Sequence, residues 1–395
     1  MKNKVGIVSC YFQPNYGSQL QAYATQKILD DLGVKNETIC IDGLKKEIDS
    51  AKYKYFLSKL SDINTIKDKL GTLKHMLQLK LKKNGFGKNV AVRNEMFKNF
   101  ENEIFKLSKR YKSIAELGQS CNNYGAVLVG SDQLWLPSNI EADYYTLNFV
   151  PKEVPKIAFA TSFGVSSLPK KQAQKASSFL KRIEYLSTRE ISGQSIIKDL
   201  TNKEVPIVCD PTLLFTEEEW LSIQNPVRII KEKYIFCYFL GNNPKQRSFV
   251  KELKKKTGFK IVQLQHLDEY IQSDDNFPDY APYDVGPREY LNLIRHAEYV
   301  CADSFHGTVF SILHKKPFFT FSRYKVNSSV STNTRLNSIL SLLNLEDRFI
   351  SGEEKIDDCL NKKINYEKVP KKLAEFRQFS KTFLINSLKS SGFQV

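Results

Sequence analysis

One histidine of this chain, His306, has a sequence context typical of a catalytic or anion-binding residue. It follows an apolar strand pattern at 299–302 and a polar turn, Asp303-Ser304, and it precedes a helical pattern at 307–313. Ligands of open α/β sheets bind beyond the carboxyl ends of the strands, where helix N-termini favour anions. An imidazole there can donate or accept a proton near neutral pH. The pattern predicts an acid, a base or an anion contact; a packed histidine in a helix-capping segment is the alternative.

Three predicted strands end in polar or glycine-containing turns that lead into a helix. The candidate ligand-binding residues in these turns are Asn15, Gly17 and Ser18; Gly130, Ser131 and Asp132; and Asp303, Ser304 and Gly307. Glycine allows a close approach of the backbone, and helix N-termini favour phosphates and carboxylates. None of the turns is a P-loop or a G-x-G-x-x-G motif, so no class of nucleotide follows from them. Helix capping explains each turn alone, but three of them predict a shared cleft.

Two further charged residues follow apolar patterns. Arg189 could bind a carboxylate or phosphate in the cleft through its guanidinium fork, while an ion pair with Glu190 or Asp210 is the structural alternative. Asp210 precedes Pro211, and aspartate before proline caps a turn more often than it does chemistry. The other four histidines have no comparable position.

Size and composition indicate a protein with two domains. The chain has 395 residues, which is longer than a domain with a single hydrophobic core usually is, and 41% of the residues are hydrophobic. It has no run of about 18 apolar residues, and its start is too short for a signal peptide. The seven cysteines form no C-x-x-C pair, so we expect buried free thiols instead of a disulfide framework or a zinc site. These features predict a cytoplasmic protein without a bound metal.

Apolar strand patterns alternate with helical patterns along the chain, which is typical of parallel α/β domains. The predicted strands include 5–10, 37–41, 124–130, 156–160, 186–189, 205–210, 233–240, 259–264 and 299–302, and the predicted helices include 172–185 and 287–296. We predict an α/β fold of two Rossmann-like domains, 1–225 and 226–395, that face each other across a cleft. A helical insertion at about 45–115 interrupts the first domain, and the helical tail at 366–388 is expected to return to it.

The formal net charge of +16 calls for an anionic partner or substrate. Much of the excess lies between Lys52 and Lys112, where apolar residues alternate with lysines such as Lys80, Lys82 and Lys83. A basic amphipathic helix of this kind suits an anionic membrane surface, and an ordinary solvated helix is the alternative. No nucleic-acid motif accompanies the charge, so nucleic-acid binding is not favoured.

The ordered motifs resemble those of the polysaccharide pyruvyl transferase family along nearly the whole chain. They lie at 15–24 (NYGSQLQAYA), 129–135 (VGSDQLW), 187–190 (STRE), 209–214 (CDPTLL) and 302–308 (ADSFHGT). The resemblance implies a GT-B-like pair of Rossmann-like domains, with the acceptor on the first domain and His306 on the second. It also implies transfer of a pyruvyl group from phosphoenolpyruvate to two sugar hydroxyls. Phosphoenolpyruvate is the co-substrate, and no cofactor is expected. His306 would then be the acid and base, and Arg189 would hold the donor.

One position departs from the family pattern. Well-studied members carry Arg-Leu directly before the histidine, and the arginine contacts the donor phosphate, whereas this chain has Ser304 and Phe305. The residues considered as replacements for the lost charge are Arg288, Arg295 and Arg323.

The resemblance also implies a setting for the reaction. The acceptor is expected to be a sugar of a cell-surface or exopolysaccharide precursor, lipid-linked at the inner membrane face if the basic helix binds lipid. Two other functions stay open. One is a GT-B-type glycosyltransferase that uses a nucleotide sugar, with Glu289 as a weakly placed ribose contact. The other is a non-enzymatic module that binds membrane or nucleic acid.

Overall fold

The computed structural model describes residues 3–58, 85–323 and 334–395, which form two parallel five-stranded sheets. The strands of the first sheet are β1 (Lys4–Val8), β2 (Lys35–Thr38), β3 (Ala126–Val129), β4 (Lys156–Thr161) and β5 (Tyr185–Thr188). Those of the second are β6 (Tyr234–Tyr238), β7 (Lys260–Gln263), β8 (Tyr299–Ala302), β9 (Phe318–Phe321) and β10 (Phe349–Ile350). Central strands such as β3, β6 and β9 are mainly apolar and fully buried because helices cover both faces of a parallel sheet, whereas the edge strand β2 is polar. The two sheets confirm the predicted α/β fold.

The two sheets share one strand order. It is β2-β1-β3-β4-β5 in the first and β10-β9-β8-β6-β7 in the second, so each reads 2-1-3-4-5 when its own strands are counted along the chain. In this order the strand order reverses between the first and third strands: the second strand is added on one side of the first, and the later strands on the other. Ligands of doubly wound sheets bind beyond that switch point. The switch points of this protein lie between β1 and β3 and between β6 and β8.

Helices connect the strands and cover the sheets. In the first half of the chain they are α1 (Tyr16–Asp31), α2 (Lys45–Ser58), α3 (Phe86–Ile104), α4 (Ile114–Ser120), α5 (Pro137–Ala142), α6 (Lys170–Lys181), α7 (Ile191–Thr201) and α8 (Glu217–Leu221). In the second half they are α9 (Pro244–Thr257), α10 (Pro287–His296), α11 (Phe305–Leu313), α12 (Thr334–Leu343), α13 (Ile356–Asn361) and α14 (Val369–Ser390). No helix in the described ranges is both long and apolar enough to cross a membrane.

The two halves of the molecule share one hydrophobic core. Tyr16, in the first turn of α1, stacks on Tyr290 of α10 with ring centroids 4.4 Å apart, and its hydroxyl donates to the Val285 carbonyl at 2.9 Å. The buried Arg93 of α3 reaches across to the second half, where it donates to the carbonyl of Gln265 at 2.8 Å. These contacts fix the two walls of the cleft against each other.

The last helix, α14, lies against segments from the first half of the chain. The Ser380 hydroxyl accepts a hydrogen bond from the Cys209 amide at 2.8 Å, and the ring of Phe383 stacks on that of Phe159. Helix α14 therefore contacts the first half of the chain, and the domain to which it belongs stays a prediction. The exact domain boundary near residue 225 stays a prediction.

Several element boundaries differ from the prediction. The predicted strand at 205–210 is wrong, because only Ile207 pairs with β5, through an isolated bridge to Thr188. The predicted helix at 172–185 ends at Lys181, and Tyr185 begins β5. Residues 59–84, which hold the centre of the predicted basic insertion, lie outside the described residues, so the insertion stays a prediction. All seven cysteines are buried free thiols, as predicted.

Candidate active site

A cavity of about 400 Å³ lies where the carboxyl ends of the two sheets meet. Its walls come from the turns after β1, β3, β6 and β8, so it sits at both switch points. The polar and charged side chains among its described lining residues are Gln13, Asn15, Ser18, Lys52, Asp132, Gln133, Ser138, Asn139, Ser304, His306, Arg323 and Arg335, with Cys10 beside them. Three permanent cations and one carboxylate in this set make the cavity suited to an anion.

His306 lies in the first turn of α11, which begins directly after β8. Ser304 caps this helix, and its hydroxyl accepts from the Gly307 amide at 3.4 Å. The histidine is 5% exposed, and its Nε2 lies 3.5 Å from Oδ2 of Asp210. This nitrogen has no hydrogen-bond partner within the described ranges. The carboxylate can stabilise a charged imidazole and leaves Nε2 free of a strong hydrogen bond.

Gly17 brings the start of α1 against the His306 ring. A Cβ atom at this glycine would lie 1.9 Å from Nδ1 of His306, far inside van der Waals contact. The helix is capped by Asn15, whose Oδ1 accepts from the Ser18 amide at 3.1 Å. The glycine is therefore required for the contact between two helix N-termini from opposite halves of the chain.

Asp210 anchors a buried network behind His306. Its Oδ2 accepts from Nη1 of Arg189 at 2.5 Å and from the Ser131 hydroxyl at 2.7 Å. Its Oδ1 accepts from the amide and the hydroxyl of Thr212. Burial disfavours the charged carboxylate, but the neighbouring His306 and Arg189 outweigh burial and hold the pKa of Asp210 well below its usual range.

Asp132 is the carboxylate that faces the cavity, and its backbone is strained. Its φ of +84° lies in the left-handed region, which is uncommon for a residue with a side chain and is often found at functional sites. Its carboxylate accepts from the Ser18 hydroxyl at 2.7 Å and from Nη2 of Arg189 at 3.1 Å. Burial raises its pKa, but the cations around it, Arg189 foremost, hold that pKa well below the usual range. Asp132 is therefore a poor base, and its contribution is electrostatic.

The predicted site residues fall into three groups. Those that line the cavity are Asn15, Ser18, Asp132, Ser304 and His306. Those that support these residues from behind are Gly17, Ser131 and Arg189. Those with contacts only inside the fold are Gly130, Asp303 and Gly307. Asp303, for example, accepts from the amides of Leu240 and Gly241 at 2.7 and 2.9 Å and fixes the turn after β6.

Arg189 forms buried ion pairs in the structure, and its role in binding the donor stays a prediction. Its guanidinium is held by Asp132 and Asp210, so the ion pair with Asp210 predicted as the structural alternative is present. Its Cζ lies 4.6 Å from the centre of the Phe305 ring, which separates it from the polar cavity. Arg189 and Phe305 also line a second, mainly apolar cavity of about 540 Å³ between α7, α12 and α14.

The sequence reasoning missed two cations of the polar cavity, Lys52 and Arg335. Of the three arginines considered as replacements for the family arginine, Arg323 lines the cavity, whereas Arg288 pairs with the exposed Glu103. Arg295 is not among the lining residues. The signal that could have revealed Arg335 is its isolation as the one charged residue of α12.

The family follows from the comparison of this chain with known proteins. The profile of the polysaccharide pyruvyl transferase family matches residues 15–324, which include both helix N-termini at the cavity. The chain belongs to this family. No curated protein shows significant similarity to this chain.

Solved structures with the same fold are distant in sequence. A UDP-N-acetylglucosamine 2-epimerase from Rickettsia bellii superimposes with a TM-score of 0.50 at 11% identity, covering 99% of this chain and 97% of the epimerase. A putative UDP-N-acetylglucosamine 2-epimerase from Listeria monocytogenes gives 0.52 at 10% identity, with coverages of 99% and 96%. The likeness confirms the GT-B-like arrangement of this family member.

Proposed function

We propose that this protein transfers a pyruvyl group from phosphoenolpyruvate to two hydroxyls of a sugar in a cell-surface or exopolysaccharide precursor. The observation that carries the proposal is the buried His306 imidazole, which faces Asp210 and lines a cavity rich in cations. Membership of the polysaccharide pyruvyl transferase family supports the reaction class. The products would be a cyclic ketal and inorganic phosphate.

The chemistry requires one group that both gives and takes a proton. Protonation of the methylene carbon of phosphoenolpyruvate makes C2 electrophilic, and protonated His306 supplies that proton. The first sugar hydroxyl then adds to C2, and its proton returns to the imidazole. The second hydroxyl displaces phosphate, which carries away the second proton. A histidine can serve both steps near neutral pH, and such proton transfer contributes about 10²–10⁴-fold to the rate.

Arg189 acts in this proposal as a positioning residue. Its guanidinium is already occupied by Asp132 and Asp210, and the ring of Phe305 lies against it. It therefore orients the two carboxylates that hold the His306 side of the cavity. Other cations that line the cavity would then contact the donor directly.

A ligand screen followed by a product assay tests the function. We expect phosphoenolpyruvate to raise the melting temperature, because a ligand that binds only the folded state stabilises it. With phosphoenolpyruvate and a panel of methyl hexosides, phosphate release and an NMR methyl signal of the ketal should appear. His306→Ala should lower turnover by about 10²-fold or more. Turnover of His306→Ala close to that of the wild type would contradict the assignment.

The screen also separates the other functions. Stabilisation by UDP or a UDP-sugar without any effect of phosphoenolpyruvate would favour a nucleotide-sugar glycosyltransferase. Glu289 gives that alternative no support, because its carboxylate caps α10 through the Gly286 amide at 2.9 Å. Stabilisation by a DNA duplex alone would favour the non-enzymatic module.

A lipid-linked acceptor at the inner face of the membrane is part of the proposal, and it is supported by the net charge of +16. Lys80, Lys82 and Lys83, the lysines that carry this idea, lie outside the described residues. Their simultaneous replacement by glutamate should abolish sedimentation with vesicles of anionic phospholipid. Unchanged sedimentation would contradict membrane binding by these lysines but would not affect the proposed reaction.

A further inference from the structure

Arg335 is a buried arginine whose charge is only weakly compensated. Its side chain is 8% exposed, and its one ion-pair contact with another described residue, Nη1 to Oδ1 of Asp132, is 3.9 Å long. The same carboxylate is bonded more closely by Arg189 and Ser18, at 3.1 and 2.7 Å. Buried Nε of Arg335 has no hydrogen-bond partner within the described ranges. Because an unpaired buried charge is costly, this guanidinium is suited to an anionic ligand.

The electrostatic surroundings of Arg335 point the same way. Burial and the positive charges of Arg189 and Arg323 together lower the pKa of Arg335 to about 10, although the carboxylates of Glu190 and Asp132 oppose this shift. A ligand with two negative charges would relieve both effects at once. A neutral sugar would relieve neither.

Arg323 brings a second guanidinium into the same cavity. Its Nη2 donates to the Asp303 carbonyl at 3.0 Å and lies 3.6 Å from the Asp303 carboxylate, which fixes the side chain, while its buried Nε is unpartnered within the described ranges. Lys52 adds a third cation from the first half of the chain. Two arginine forks in one pocket suit the several oxygens of a phosphate better than a single carboxylate.

Both arginines line the cavity that His306 also lines. Arg335 has its Cζ 5.7 Å from the centre of the ring of Phe305, the residue directly before His306. Neither Ser304 nor Phe305, the two residues directly before His306, carries a charge, so a cation near the imidazole must come from another segment. Arg335 and Arg323 approach the same region from α12 and from the end of β9.

We propose that Arg335, together with Arg323, forms the site for the phosphate group of the donor. The proposal rests on the proposed function for the identity of the donor, but the phosphate site itself can be tested without any catalysis. Arg335 would hold the phosphate in the bound donor and stabilise it as it departs.

Calorimetric titration with inorganic phosphate and with phosphoenolpyruvate tests the site. Arg335→Gln should raise the Kd for both by about tenfold or more, which corresponds to the loss of one charge-assisted pair. Arg335→Lys keeps the charge without the fork and should give an intermediate Kd. Arg110→Gln, which removes an exposed arginine outside the cavity, is the matched control and should bind both ligands as the wild type does.

The outcomes separate this proposal from the function on which it rests. In one outcome, the wild type binds phosphate but forms no ketal, and Arg335→Gln loses phosphate binding. This result would support the phosphate site and contradict pyruvyl transfer. Ketal formation with an unchanged kcat/KM for phosphoenolpyruvate in Arg335→Gln would overturn the site and keep the function. Wild type that binds neither ligand at millimolar concentration would also overturn the site. If Arg335→Gln does not fold, the comparison of Arg335→Lys with the wild type decides in the same way.

Discussion

The His306 ring occupies the space that a side chain at Gly17 would need. The two residues belong to different halves of the chain, and a Cβ at Gly17 would meet Nδ1 at 1.9 Å and Cγ at 2.4 Å. Each residue lies in the first turn of its helix, so the contact joins two helix N-termini across the cavity. The position of the proposed acid therefore depends on a residue with no chemistry of its own.

Gly17→Ala should abolish most activity while the protein stays folded. The new methyl group forces the imidazole to rotate away, and a displacement of about 1 Å at a catalytic group can cost 10²-fold in rate. The fold should lose only about 1–3 kcal/mol, because a side chain and not the backbone gives way. Phosphate release from phosphoenolpyruvate and urea unfolding measure the two effects.

Gly130→Ala is the matched control for this substitution. Gly130 also follows a strand at the same edge of the sheet, but its Cβ would lie 3.6 Å from the nearest atom, Oγ1 of Thr25. It should retain activity and stability. Equal losses in the two variants would show that any methyl group at this edge disturbs the fold, and would contradict the specific role of Gly17.

The sheets and the position of His306 could be predicted because their signals are local. A buried strand such as β3 is a continuous apolar run, and the turn and helix after β8 place His306 at a strand end. The false strand at 205–210 has a physical reason as well. Pro206 has no amide hydrogen to donate, and the pairing shrinks to a bridge between Ile207 and Thr188.

The charge arrangement could not be predicted because it depends on contacts between distant segments. Asp132 and Asp210 both converge on Arg189, from turns 57 and 21 residues away in sequence. Arg335 is the one charged residue of α12, but only the packing of this helix places the side chain at the cavity beside Asp132. Sequence spacing contains no information on either convergence.

Asp210→Asn should destabilise the protein and flatten its pH dependence. The variant leaves Arg189 buried without its closest partner, which typically costs about 3–5 kcal/mol. The pKa of Asp210 is lowered by folding, so its stabilisation is present above the unfolded pKa of about 3.9 and is lost as the pH falls through the folded pKa. Wild-type stability should therefore fall more steeply in acid than that of the variant.

Urea unfolding between about pH 3 and 7 measures this difference. Asp199→Asn, on the exposed surface of α7, is the control and should follow the wild-type curve. Parallel curves for Asp210→Asn and the wild type would mean that Asp210 does not contribute to acid lability.

Phe305→Leu should weaken the site although the substitution keeps an apolar side chain. The aromatic ring lies 4.6 Å from Cζ of Arg189 and 5.7 Å from Cζ of Arg335, and leucine offers neither cation a π face. Partly buried pairs of this kind contribute about 0.5–2 kcal/mol. We expect a lower melting temperature and a raised KM for phosphoenolpyruvate; Phe305→Tyr, which keeps the π face, should retain both values. Wild-type values for Phe305→Leu would mean that the ring serves only as apolar filling.

Arg93→Lys should loosen the contact between the two halves. The Arg93 guanidinium donates to the carbonyls of Gln265 and Pro282 at 2.8 and 2.5 Å and lies over the Tyr283 ring. A lysine ammonium cannot span both carbonyls as the fork does, and one charged hydrogen bond is worth about 1.5–3 kcal/mol. The free energy of unfolding should fall by about 2 kcal/mol in urea titrations, while the exposed Arg110→Lys keeps the wild-type value.

Because the cavity has walls from both halves, Arg93→Lys should also raise the KM for phosphoenolpyruvate more than it lowers kcat. A fall in kcat alone would mean that Arg93 affects the chemical step and not the fit of the two walls.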